Sequence, residues 1–93
     1  MAETLSDQNI LIVEDQEGPR RALMMILGSF YRIHTAETAS AALKIIVESP
    51  IDLMLMDVGL PDYSGIELLR RVRATGRDIK VIVMTGGASI ESA

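Results

Sequence analysis

Three short apolar runs each end on an oxygen-bearing side chain, and that repetition constrains the fold more than any other feature. Ile10-Leu11-Ile12-Val13 is followed by Glu14-Asp15, Leu53-Met54-Leu55-Met56 by Asp57, and Val81-Ile82-Val83-Met84 by Thr85. Runs this short, apolar throughout and rich in Val and Ile, read as strands covered on both faces. Between them the spacing turns helical. After Glu14-Asp15 a helix is predicted with Pro19 in its first turn, Leu23, Ile26 and Leu27 on one face, and Gly28-Ser29 at its end. Tyr31-Arg32-Ile33-His34-Thr35 alternates apolar with polar, as a half-exposed edge strand does.

A second helix is expected from about Thr38, with Ala39, Ala42, Leu43 and Ile46 at helical spacing, closing at Ser49-Pro50. Ser64-Gly65-Ile66-Glu67 has the spacing of a capping box. The third helix that it opens should carry Ile66, Leu69 and Val72 inward and end near Thr75-Gly76. Ala88–Ala93 reads as the first turn of a further helix, and residues 1–8 as a flexible polar N-terminus. The order β-α-β-α-β-α-β calls for an α/β fold, a parallel sheet with helices on both faces. The fourth strand reads as an interior strand with no further strand to pair with it, so the chain is expected to stop before its own sheet is finished.

Ninety-three residues make one domain at most, with roughly 60–70% of the unfolded surface buried. An apolar share of 48% beside 24% charged residues suits a soluble globular chain, not a disordered one. The net charge of −4 argues against a nucleic-acid surface. The absence of Cys excludes disulfides and thiolate metal sites. There is no membrane-span-length apolar run and no signal-peptide core, so a cytoplasmic location with no membrane contact is expected.

In an open parallel sheet, ligands bind beyond the carboxyl ends of the strands, where the strand order reverses. The first and third strands should flank that point and bring Glu14, Asp15 and Asp57 together. Carboxylates so close repel one another unless a cation intervenes, and hard oxygen ligands suit Mg²⁺. An ionised Asp can also attack phosphorus to give an acyl phosphate. Thr85 could donate to a phosphoryl oxygen, and Gly86-Gly87 would let backbone amides approach it.

Each residue also has an ordinary reading. Asp57 alone could be a turn residue, Glu14-Asp15 a helix cap, and Thr85 a loop hydroxyl. Their joint appearance after successive strands favours a shared site. His34 reads as a solvated edge residue, and Arg70, Arg71, Arg73 and Arg77 as a solvated face. Met24, Met25, Met54, Met56 and Met84 read as core packing. Asp62 reads as part of the turn, and Lys80 lies at the strand end remote from Asp57.

Ile10–Asp15, the segment Leu55-Met56-Asp57-Val58-Gly59-Leu60-Pro61-Asp62-Tyr63-Ser64-Gly65, and Val81–Gly86 together resemble the receiver domain of bacterial two-component response regulators. The resemblance covers residues 9–93. It implies a flavodoxin-like doubly wound sheet in the order 2-1-3-4, with the fifth strand and fifth helix absent from this chain. It also implies a regulatory phosphoacceptor rather than an enzyme, with Asp57 taking a phosphoryl group from a sensor histidine kinase. Glu14, Asp15, Asp57 and the Gly59 backbone carbonyl would hold Mg²⁺, and Thr85 would be the hydroxyl that moves to the phosphoryl group. A Lys from the end of a fifth strand, which receivers pair with that group, would lie beyond Ala93. Two other readings compete. One is an interaction module acting through dimerisation or strand exchange at the unpaired fourth strand or at exposed helix faces. The other is an Asp-nucleophile phosphatase, disfavoured because Gly59 stands where such enzymes typically carry a second Asp.

Overall fold

The computed structural model describes residues 7–62 and 64–84. β1 (Asn9–Val13) is the strand on which the rest is assembled. It pairs in parallel with β2 (Arg32–Ala36) on one side and β3 (Leu53–Asp57) on the other. β4 (Lys80–Met84) continues the sheet beyond β3, giving the order β2-β1-β3-β4. The crossovers are α1 (Glu17–Leu27), α2 (Ala39–Glu48) and α3 (Gly65–Ala74). This is the flavodoxin-like, doubly wound sheet expected from the sequence.

Two apolar clusters lie on opposite faces of the sheet. Leu11 and Val13 pack with Ala39, Ala42 and Ile46 of α2 and with Leu68 and Val72 of α3. Ile10 and Ile12 pack with Leu55 and with Leu23 and Leu27 of α1. Every second residue of β1 therefore enters a different cluster, which is why the strand is apolar throughout. β3 repeats the pattern, with Met54 and Met56 on the α2–α3 face and Leu55 on the other. Burying one such side chain stabilises the fold by about 1.5–3 kcal/mol.

The helix ends are chemically defined. Thr38 Oγ1 accepts from the Ala41 N–H at 3.0 Å, and Ser64 Oγ accepts from the Glu67 N–H at 3.2 Å. Glu67 turns its carboxylate to Arg70 and Arg71, at 2.9 and 3.1 Å. α3 terminates at Gly76, whose φ of +77° is the left-handed conformation that a glycine adopts without a Cβ penalty. Among the described residues, no helix is long and apolar enough to cross a membrane.

Several side chains depart from their expected places. On α3, Gly65, Leu68 and Val72 are buried while Ile66 is 65% exposed. The inward stripe runs through positions 65, 68 and 72, and Ile66 stands about 100° away from Gly65. On α1, Leu23 and Leu27 face the sheet, whereas Ile26, Met24 and Met25 are exposed, Met25 to 79%. That helix has no fully buried residue, so its apolar content overstates its packing. Of the five methionines assigned to the core, only Met54 and Met56 are buried, and Met84 is half-buried against the α1-side cluster.

His34 is not simply solvated: it is half-buried, with Nε2 3.0 Å from Asn9 Oδ1. The arginines do more than face water. Arg73 donates to the Ile79 carbonyl at 2.7 Å and Arg77 to the Ser49 carbonyl at 3.3 Å. β4 reads as an interior strand by its residues. Among the described residues, however, β3 is its one neighbour, and Ile82 is 51% exposed. The expectations for residues 1–6, for Thr85, Gly86 and Gly87, and for a helix at Ala88–Ala93 fall outside the described residues.

Leu68→Ala is expected to cost about 2–5 kcal/mol, as truncation of a fully buried Leu does. Ile66→Ala should cost well under 1 kcal/mol, as exposed substitutions do. Urea unfolding midpoints of the two variants measure the difference, and equal losses would place Ile66 in the core after all.

Candidate functional site

The parallel ladder of β1 with β3 sets Val13 beside Met56, so the residues that follow, Glu14-Asp15 and Asp57, leave the sheet together. One oxygen from each of the three carboxylates falls within 4.8 Å of the others. Glu14 is 7% exposed, Asp57 is half-buried and Asp15 is exposed. The cluster thus runs from the sheet edge out to solvent.

Glu14 is held at three points. Its N–H donates to the Ala36 carbonyl at 3.0 Å, continuing the ladder with β2. Its own carbonyl accepts from Arg20 Nη1 at 3.2 Å, and its carboxylate accepts from the Gln16 N–H at 3.2 Å. Arg20 also reaches Glu37, at 3.7 Å. Burial pushes the Glu14 carboxyl above the ordinary carboxylate range. The Gln16 amide opposes that rise, while Asp57 and Asp15 add to it by their charge and by the Asp15 hydrogen bond.

Asp57 closes β3, and the loop after it folds back tightly. The Gly59 N–H donates to Asp57 Oδ1 at 3.3 Å, and the Gly65 N–H donates to the Val58 carbonyl at 3.2 Å. Leu60 is buried in the α2–α3 core. A Cβ on Gly65 would stand 3.0 Å from the Val58 Cα and 3.3 Å from the Asp57 carbonyl oxygen. A side chain there would press on the Val58 backbone, so glycine suits a helix start this close to the acidic strand end. At Gly59, by contrast, no atom of the described residues lies within 4 Å of an added Cβ.

The structure brings together Glu14, Asp15 and Asp57, with the Gly59 backbone beside Asp57. Thr85, Gly86 and Gly87 fall outside the described residues; Met84, which precedes them, is the register partner of Asp57. Lys80 is paired with Leu53 at the opposite end of the sheet. Sequence reasoning missed two residues. Arg20 on α1 is one, and its readable signal is a cation about one turn after an acidic pair. Asp62, assigned to the turn, carries its carboxylate to the N-terminus of α2 at 2.8–2.9 Å. No local pattern announces a bond between residues so far apart in the chain.

Crowded carboxylates thus lie at the switch point of a doubly wound sheet, beside a Gly/Pro loop, where such sheets bind their ligands. The response regulator receiver domain family matches residues 10–93, and this chain belongs to it. It is 33% identical over 88 residues to sporulation initiation phosphotransferase F of Bacillus subtilis, covering 94% of this chain and 71% of that protein. It is 35% identical over 91 residues to the sensor histidine kinase RcsC of Salmonella typhimurium, covering 97% of this chain and 10% of the kinase. The chain therefore spans a small part of that relative's length. Among solved structures, a CheY-like receiver domain protein from Methanospirillum hungatei superposes with a TM-score of 0.84 at 36% identity, covering 92% of this chain and 70% of that one. The family places the chain in two-component, phosphorelay signalling.

Because the Glu14 pKa is raised on folding, its protonated form stabilises the fold at low pH. That contribution is fully present below the unfolded pKa and is lost as pH rises through the folded one. Glu14→Gln keeps an acceptor for Gln16 but does not titrate. Its urea midpoint relative to the parent should therefore climb between pH 4 and pH 7 in a chelated, metal-free buffer. A difference that stays flat over that range would contradict the burial argument.

Proposed function

We propose that this chain is a phosphoacceptor switch in which Asp57 takes a phosphoryl group from a phosphohistidine on a sensor histidine kinase. The observation that carries the reading is the set of three carboxylate oxygens within 4.8 Å at the ends of β1 and β3. The donor set fits Mg²⁺: hard, anionic and oxygen-only, with one member open to water for the aqua ligands that this ion keeps. Glu14, Asp15, Asp57 and the Gly59 carbonyl would hold it. When bound, the ion offsets the mutual repulsion of the carboxylates and the charge gathering on the transferring group.

The chain's own residues do the rest. An Asp57 carboxylate oxygen forms a bond to phosphorus as the phosphorus–nitrogen bond to the donor histidine breaks, and the imidazole leaves with the electron pair. The product is an acyl phosphate. Glu14, fixed at its amide, carbonyl and carboxylate, holds its charge in place rather than swinging out to water. Thr85 would offer its hydroxyl to a phosphoryl oxygen, and the backbone amides of Gly86 and Gly87 would lie near it. Close to two added negative charges at one carboxylate bias a two-state loop, so the role is regulatory and not that of a turnover enzyme. A cytoplasmic setting suits a kinase-fed switch of this kind.

A second reading is favoured by the exposed β4 residues Ile82 and Val83. Association through that edge, by dimerisation or strand exchange, would cover them. Light scattering checks it, and a folded, monodisperse monomer would remove it.

Incubation with a phosphorylated kinase, or with a small phosphoryl donor, should load one phosphate per chain in a form that hydroxylamine releases. Asp57→Asn should abolish the labelling. Acid-stable phosphate, or label that persists in the variant, would overturn the assignment.

A further inference from the structure

The loop from β3 to α3 leaves Asp57 and crosses to α2 before α3 begins. There the Asp62 carboxylate meets the first turn of α2. Oδ1 accepts from the Ala39 N–H at 2.9 Å, and Oδ2 accepts from the Ser40 N–H and the Ser40 hydroxyl, both at 2.8 Å. With Thr38 Oγ1 taking the Ala41 N–H, three successive amides of the helix's open end are satisfied. A carboxylate is the favoured partner at that end of the helix.

The same junction braces the other acidic loop. The Ala36 carbonyl accepts from the Glu14 N–H, and Glu37 receives Arg20, whose guanidinium also holds the Glu14 carbonyl. The junction of β2 with α2 thus ties down both loops beside the carboxylates.

We infer that Asp62 is a positioning residue for the site at Asp57. Clipped to α2, it holds the loop so that the Gly59 backbone stays against the Asp57 carboxylate, to which the Gly59 N–H donates at 3.3 Å. This role rests on the cation reading of Glu14, Asp15 and Asp57 given above. Groups bonded directly to metal ligands change affinity by about 10–100-fold when removed, and Asp62, acting one step further out through the loop, is set at the lower end of that range. Linkage makes the effect reciprocal: an ion bound at Asp57 must tighten the Asp62 clip by the factor by which the clip tightens binding.

The test is a Mg²⁺ titration followed through the Gly59 amide resonance, in the parent chain, Asp62→Ala and Asp57→Asn. The expected result is a Kd for Mg²⁺ raised about tenfold in Asp62→Ala, at the lower end of the range for outer partners. In the parent chain, saturating Mg²⁺ should slow hydrogen exchange at the Ala39 and Ser40 amides by a comparable factor, and Asp57→Asn should lose that slowing. A folded Asp62→Ala with a lower urea midpoint and an unchanged Kd would make Asp62 a structural cap only, and would overturn the inference. Should that variant not fold, exchange at Ala39 and Ser40 in the parent decides alone, and insensitivity to Mg²⁺ overturns the role. A parent chain that binds no Mg²⁺ would instead bring down the cation reading, and the positioning role with it.

Discussion

Everything at this site depends on one pairing, the parallel ladder between β1 and β3. It sets Val13 against Met56 and so delivers Glu14 and Asp57 to the same edge of the sheet. Left in water, three carboxylates would spread apart. Here they are held by the burial of the strands that carry them, with Leu11, Val13, Met54 and Met56 packed in one core. Apolar packing directly beneath the acids thus maintains an unfavourable concentration of charge. The raised pKa of Glu14 is the visible sign of that tension, since burial and like charge both favour the protonated acid. A cation is the natural complement of such an arrangement.

Two kinds of restraint keep the cluster ordered. Strand pairing fixes where the backbone leaves the sheet, and polar clips fix where it goes next. Arg20 and Gln16 restrain the loop after β1, whereas Gly65, Leu60 and Asp62 restrain the loop after β3. The β3 loop is tied through three unlike contacts: a close backbone approach, an apolar plug and a charged cap. Such redundancy suits a site that must present fixed oxygens to an incoming group, because little ordering remains to be done on binding.

The sheet and the acid cluster were legible in the sequence for a simple reason. Strands buried on both faces carry no polar alternation, so Ile10–Val13 and Leu53–Met56 stood out, and the acids that ended them stood out in turn. Helix faces were less legible. On α1 and α3 apolar residues outnumber the positions that face the sheet, and the choice between Ile66 and Leu68 turns on the rotation set by Gly65. The exposed Met24 and Met25 show the same ambiguity, for a methionine is at home in a core or on a surface. Asp62 was the least legible. Its function lies in a bond across 22–23 residues, and side-chain reach over such a distance leaves no periodic trace.

The position of β1 at the middle of the sheet also governs how the protein comes into being. Its second neighbour, β3, follows only after α1, β2 and α2 have been made. Pairings of that span form late, because chain freedom is surrendered before the contacts repay it. A nascent chain that has produced Glu14 and Asp15 therefore carries them as ordinary, separated surface acids. Their crowding with Asp57 arises in the same event that closes the β1–β3 ladder, when apolar burial is at hand to oppose it. The acid cluster is consequently a property of the closed β1–β3 ladder. Any ion it attracts acts as a ligand of the native state and not of its precursors, deepening the final basin without trapping an earlier one.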